Sequence, residues 1–122
     1  PLCPLQKAMN DLLKKKCVPC EGGIIPFDIS EIHKYQKKVN GWKIIKNSKE
    51  IYFLEKNFEF DNFKKSQDFV IQVGKISEEE GHHPDINFGW GYAKISITTH
   101  AINGLSENDF ILAAKIDETL NV

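Results

Sequence analysis

Between Tyr92 and Thr98 the side chains alternate without a break. Ala93, Ile95 and Ile97 are apolar, while Lys94, Ser96 and Thr98 are polar. A period of two sustained over this length specifies a strand with one buried and one wet face, and it excludes a helix. Such a strand needs partners along its edges and a layer of other elements over its apolar side.

The rest of the chain supplies both. Ile86–Trp90 precedes the alternating run, and Gly89–Gly91 lies between them, so the two form a strand pair. Trp42–Lys46 and Ile51–Phe60 are β-rich and separated by the polar Asn47–Glu50, which predicts a second hairpin. Helical segments flank them. Asp28 with Glu31 opens a helix running to about Val39, closed by Asn40-Gly41. Asp61 is the expected cap of a long helix whose Phe63, Phe69, Val70, Val73 and Ile76 form one stripe, ended by Gly81. Ser106 and Asp109 form a capping box for a last helix, with Leu112, Ala113, Ile116 and Leu120 inward. The order is α-β-β-α-β-β-α. The expected class is α+β, a four-stranded antiparallel sheet with helices packed on one face.

Residues 1–26 differ in style and are expected to be an extension to a domain spanning 27–122. Leu5, Ala8, Met9, Leu12 and Leu13 fall at helical spacing before Lys14–Lys16, and Cys17 to Gly23 is a loop by its Pro and Gly content. Three cysteines, an odd number expected outside the core, do not form a secreted disulfide framework. Cys17-x-x-Cys20 is half of a zinc knuckle without a second pair, and is read as a loop carrying free thiols.

Charge narrows the partners. The net charge is −1, and all sixteen basic residues are lysine. Without arginine the bidentate clamp for phosphate and for guanine is missing, so nucleic acid is not an expected partner. No apolar run approaches the roughly 20 residues that span a bilayer, so no membrane is expected either. The expected location is cytoplasmic, with nuclear as an addition, or organellar should the first twenty residues be a targeting remnant.

Of four histidines, three lie close in sequence. His82 and His83 follow the long helix and are stiffened by Pro84. His100 ends the final strand and, by parity, shares a face with Ser96 and Thr98. Pairing of the last two strands brings His100 back toward His82 and His83. Imidazoles titrate at about 6.5, which suits proton transfer near neutrality. Three histidines can also hold zinc, but adjacent rings need irregular backbone to converge, and no HExxH helix exists. The reading is a site without metal or cofactor. Three glutamates, 78–80, end a helix against its dipole; they form a solvated face unless one of them meets a cationic or amide-rich ligand. Trp42, Trp90 and Tyr92 are expected in the core or the sheet, and His33 on an exposed helix face.

The spacing Glu78-x-x-x-His82-His83-Pro84, then Trp90, His100 and Asp109, resembles the signature of the pterin-4a-carbinolamine dehydratases. Gly41-Trp42, the run Phe58 to Phe63, and Thr99 to Ser106 are similar to the same family. The resemblance covers about Asp28 to Leu120, and Cys17 to Gly23 looks like the lead-in of many non-animal members. It implies a 4a-hydroxytetrahydropterin substrate, dehydrated to quinonoid dihydropterin in tetrahydrobiopterin recycling. It assigns catalysis to His82, His83 and His100, substrate contact to Glu78, Pro84, Trp42 and Thr99, and support to Asp109. It also implies a homodimer or homotetramer, since an open sheet leaves edges to cover. The alternative it carries is a non-catalytic, protein-interacting or transcriptional dimerisation cofactor on the same fold.

Overall fold

The computed structural model describes residues 11–18 and 24–120. Its elements follow the expected order: α1 (Ile29–Gln36), β1 (Lys43–Lys46), β2 (Tyr52–Glu59), α2 (Phe63–Glu80), β3 (Asp85–Gly89), β4 (Tyr92–Ile97) and α3 (Glu107–Glu118), with a short 3-10 turn, His100–Ile102, before α3. The strands make one sheet in the order β1-β2-β4-β3, antiparallel throughout.

Register carries the alternation of β4 across the sheet. Ile97 faces Leu54, Ala93 faces Phe58, and Ile95 lies between Lys56 and Ile86. Leu54, Phe58, Ala93, Ile95 and Ile97 are all buried, and the helices cover this face. Deepest is α3, which packs on both other helices. Its Phe110, Ile111, Leu112, Ala113, Ala114 and Ile116 are buried, so this helix is apolar nearly all round rather than along a stripe. Truncating any of its large side chains to alanine removes about 2–5 kcal/mol, the usual cost in a packed interior.

Several details depart from expectation. Asn62, not Asp61, caps α2. Its side chain accepts the Lys65 amide at 2.9 Å, a reach that needs the residue immediately outside the helix, while Asp61 pairs with the Lys65 ammonium. The buried stripe of α2 is Ser66, Phe69, Val73 and Ser77, with Phe63 half exposed against Phe88. The two serine hydroxyls donate to carbonyls four residues back, which satisfies them without an outside partner. Leu120 lies past the end of α3 and is exposed. Trp90 occupies the tip of the β3–β4 turn, beyond the reach of the helical layer, and is also exposed. Helix α1 stops at Gln36, and β4 stops at Ile97, so His100 belongs to the 3-10 turn rather than to the strand.

The cysteine expectation is corrected at Cys17, which is buried in the core together with Leu12. Leu12 and Cys17 therefore pack into the domain's interior, while Asp11, Lys14–Lys16 and Val18 stay exposed. The remaining cysteines and the apolar positions before Asp11 lie outside the described residues.

Candidate active site

The site begins with a helix end. Gly81 adopts the left-handed conformation at φ 64°, which a side chain at this position would strain. The His82 amide then donates back to the Ser77 carbonyl at 3.1 Å. This tight exit turns His82 toward the first turn of α3, where His82 Nε2 meets Asp109 Oδ1 at 2.7 Å.

Asp109 is completely buried. Its other oxygen accepts from the Ser106 amide and from the Thr99 hydroxyl, both at 2.8 Å. The capping box expected from Ser106-x-x-Asp109 is thus present, and the same carboxylate also grips His82 and the end of the final strand. A carboxylate ringed by donors holds His82 with Nε2–H pointing at it. That leaves Nδ1 as the ring nitrogen that Asp109 does not engage.

His83 has a partner of the same kind in a different setting. Its Nε2 contacts Glu78 Oε2 one helical turn back, with both side chains largely in solvent. Half-buried Pro84 carries the chain from His83 into β3.

His100 is held through its neighbours. The Thr99 amide donates to the Gly104 carbonyl, and the Thr98 hydroxyl to the Tyr52 carbonyl, fixing the 3-10 turn to the sheet. His100 lines a hollow of about 350 Å3 on the outer sheet face with Asn47, Phe53, Glu55, Asp85, Ser96, Ile97 and Thr98. His100 thus lies beside Ser96 and Thr98, as expected, but through the 3-10 turn rather than through strand parity. Phe53, Glu55 and Asp85 were not singled out from sequence. Their signal was the complement of the core pattern: Phe53 and Glu55 flank buried Leu54, and Asp85 pairs with Ser96.

The links run from His82 through Asp109 to Thr99, whose chain neighbour is His100. Trp42 is not brought into this set. It is buried against Phe58, and its indole N–H donates to Asp117 at 3.0 Å, beside the Lys56 ammonium. Asp117 lies eight residues beyond Asp109, about 12 Å along the helix axis. Burial raises the Asp117 carboxyl above its ordinary range, against the opposing pull of Lys56 and Trp42.

Glu80, from the acidic run, is committed too. It accepts from the Cys17 amide at 2.9 Å and from the Lys115 ammonium at 2.8 Å. Burial alone would raise its carboxyl; the ammonium and the amide outweigh that and hold it below the usual range.

Among the described residues no cluster of His, Cys, Asp or Glu has the arrangement to hold a metal ion, and no helix is long and apolar enough to cross a membrane.

Comparison with known proteins bears on the same stretch. A family model described as pterin 4 alpha carbinolamine dehydratase matches residues 26–119. Relatives provisionally named pterin-4-alpha-carbinolamine dehydratase include one from Rubrobacter xylanophilus, 44% identical over 89% of this chain and 98% of its own. One from Methylococcus capsulatus is 47% identical over 88% and 91%, and one from Rickettsia canadensis 45% identical over 92% and 100%. Among solved structures, a transcriptional coactivator/pterin dehydratase from Brucella melitensis shares the fold, with TM-score 0.69, 22% identity, and coverage of 76% of this chain and 96% of that one. A pterin dehydratase-like protein identified as a RuBisCO assembly factor in the α-carboxysome aligns with TM-score 0.55 at 28% identity, over 65% and 88%. The helix-capping carboxylate on His82, the paired strands behind it and the extent of these matches agree, and the chain belongs to the pterin 4 alpha carbinolamine dehydratase family.

Proposed function

We propose that this protein dehydrates 4a-hydroxytetrahydropterin to quinonoid dihydropterin by histidine acid–base catalysis. The observation that carries the reading is His82 locked by buried Asp109, one hydrogen bond from the Thr99-His100 corner.

The chemistry asks for two proton movements. The C4a–O bond breaks and water leaves once the hydroxyl is protonated. The N5 proton departs as the C4a–N5 double bond forms, so nothing is oxidised or reduced overall. A general acid and a general base suffice. In this reading His82 and His100 are the proton-transfer pair on the two sides of the ring, and His83 binds and polarises the pterin with Glu78 beside it. Thr99 and Asp109 orient His82. The hollow beside His100 is of pterin size, and its carboxylates at Glu55 and Asp85 complement the adjacent N–H and amino donors of an aminopyrimidinone edge; neither His82 nor His83 lines it, so both would reach the ring from its rim.

The test is turnover of a synthetic 4a-carbinolamine, followed by its ultraviolet absorbance, in the wild type and in His82→Ala, His83→Ala and His100→Ala. Catalysis above the spontaneous rate, lost in His82→Ala and His100→Ala, is expected. Near-wild-type rates in all three variants would remove the site. The rival reading is a non-catalytic, protein-interacting role on the same fold; the carboxysome protein is named as an assembly factor. It is favoured by exposed Trp90 and Phe63 at one end of the sheet, and a spontaneous-only rate would select it.

A further inference from the structure

Residues 11–18 precede the stretch matched by the family model, yet they reach the residues on either side of the His82–Asp109 bond. Leu12, almost wholly buried, anchors the segment. Lys15 pairs with Glu107 at 2.7 Å. The Cys17 amide donates to Glu80 Oε1. Val18 bonds Asn108 in both directions, its amide donating to Oδ1 at 3.0 Å and its carbonyl accepting from Nδ2 at 2.7 Å. Glu107 and Asn108 immediately precede Asp109, and Glu80 lies two residues before His82.

Glu80 does more than receive the strap. Its second oxygen takes the Lys115 ammonium at 2.8 Å, with Glu80 almost entirely enclosed and Lys115 mostly so. Lys115 stands six residues beyond Asp109 on α3, about 9 Å along the axis. The end of α2 is therefore pinned to α3 twice, by Glu80 on Lys115 and by His82 on Asp109, and the strap closes over the first of these pins. Between the two lies only Gly81, whose left-handed turn gives the loop a fixed exit. Loss of the first pin would leave the His82–Asp109 bond to hold the helix end against α3.

We infer that Glu80 and Lys115, with the strap over them, are positioning residues that set the orientation of the His82 imidazole on Asp109. The inference deepens the dehydratase reading by naming what fixes the geometry of its proposed acid–base group. It differs from a purely structural role in a definite way: the effect should fall on the chemical step and on the ring's hydrogen bond, not on overall folding alone.

The experiment compares Glu80→Gln, Lys115→Met, the double variant and Lys115→Arg, each in the full chain, by two measurements. Dehydration kinetics should show kcat lowered about tenfold with KM within about twofold in both single variants, the scale expected for a displaced catalytic group. The double variant should be no worse than the poorer single one, because both break one contact. Lys115→Arg should recover most of the rate. Proton NMR of the resting protein reads the site independently of turnover. The downfield imidazole N–H signal that is absent in His82→Ala should broaden or shift in Glu80→Gln and Lys115→Met while circular dichroism stays unchanged. Wild-type kcat with an unaltered N–H signal in both single variants would overturn the inference. A wild type without dehydratase activity would overturn the functional reading instead, and the N–H signal would still decide whether Glu80 and Lys115 position His82. Should one single variant fail to fold, the other decides through the same two readouts.

Discussion

His82 and His83 are covalent neighbours, and each contacts a carboxylate through Nε2, yet they occupy opposite environments. The His82 side chain is 13% exposed and its partner Asp109 0%, whereas His83 is 61% exposed and its partner Glu78 78%. The chain chose the partners by the same residue chemistry, and burial separated their consequences. A carboxylate inside the domain, bonded to Thr99 and Ser106 as well, cannot move without breaking three hydrogen bonds. A carboxylate in water is screened and adds little to stability. The His82 ring is thus held in one orientation by a buried partner, whereas the His83 ring and its partner stand largely in solvent.

The sharpest way to break this contrast is Asp109→Asn. It preserves size but presents an amide where His82, Thr99 and Ser106 all donate. We expect kcat to fall roughly 10²–10⁴-fold, the range of a lost acid–base group, and stability to fall by about 1–3 kcal/mol from the unsatisfied donors. Steady-state kinetics and urea unfolding measure the two. Unchanged kcat would mean that the buried pair is architecture alone.

Next in size is Trp42→Phe. With its indole on Asp117, the substitution should cost about 1–2 kcal/mol through the lost donor to a buried carboxylate, with kcat and KM both within twofold. A large rise in KM with stability intact would instead place Trp42 against the substrate, as the family resemblance implies.

The buried side should also show a pH signature. Burial, then the Glu80 carboxylate, push the Cys17 thiol from 9.0 in the unfolded chain to about 12. The unfolded thiol therefore ionises first. The stability contributed is whole below pH 9, and it declines as pH rises from 9 toward 12, by at most about 1.4 kcal/mol per pH unit. Urea midpoints at pH 8 and pH 10.5 should differ more in the wild type than in Cys17→Ala; equal differences would show that the thiol is not enclosed. Glu80 acts at the other end of the scale. Its folded carboxyl titrates below the unfolded value of 4.5, so its contribution is present above that value and is lost as the solution becomes more acid.

The smallest effect belongs to the exposed side. Glu78→Gln should change kcat by less than about threefold and leave the unfolding midpoint unmoved, as expected for a screened surface pair. A loss matching that of Asp109→Asn would erase the distinction between the two histidines.

Much of this was legible from residue order. The two periods, 2.0 and 3.6, give the succession of strands and helices, and strand parity puts Ser96 on the outer sheet face, where the turn that follows the strand also brings His100. Ser106-x-x-Asp109 announces the cap. What a local pattern cannot carry is the identity of a distant partner. Asp109 read as a helix cap is correct and incomplete, because its second oxygen depends on a loop 27 residues earlier. Cys17 has ordinary loop neighbours, and only the packing of Asn108 and Glu80 around it makes it interior. Trp90 and Leu120 fail in the other sense: their apolar chemistry asks for burial, but Trp90 stands one residue and Leu120 two residues beyond the element whose layer would cover it.

The double duty of Asp109 separates two histories that would otherwise look alike. If the proposed function holds, a descendant that abandoned dehydration would still gain from this aspartate, because it completes the capping box of α3. Its His82, freed from chemistry, would be at liberty to drift. Within such folds the retained acid marks a sound helix, and the imidazole opposite it is the better witness to a working enzyme.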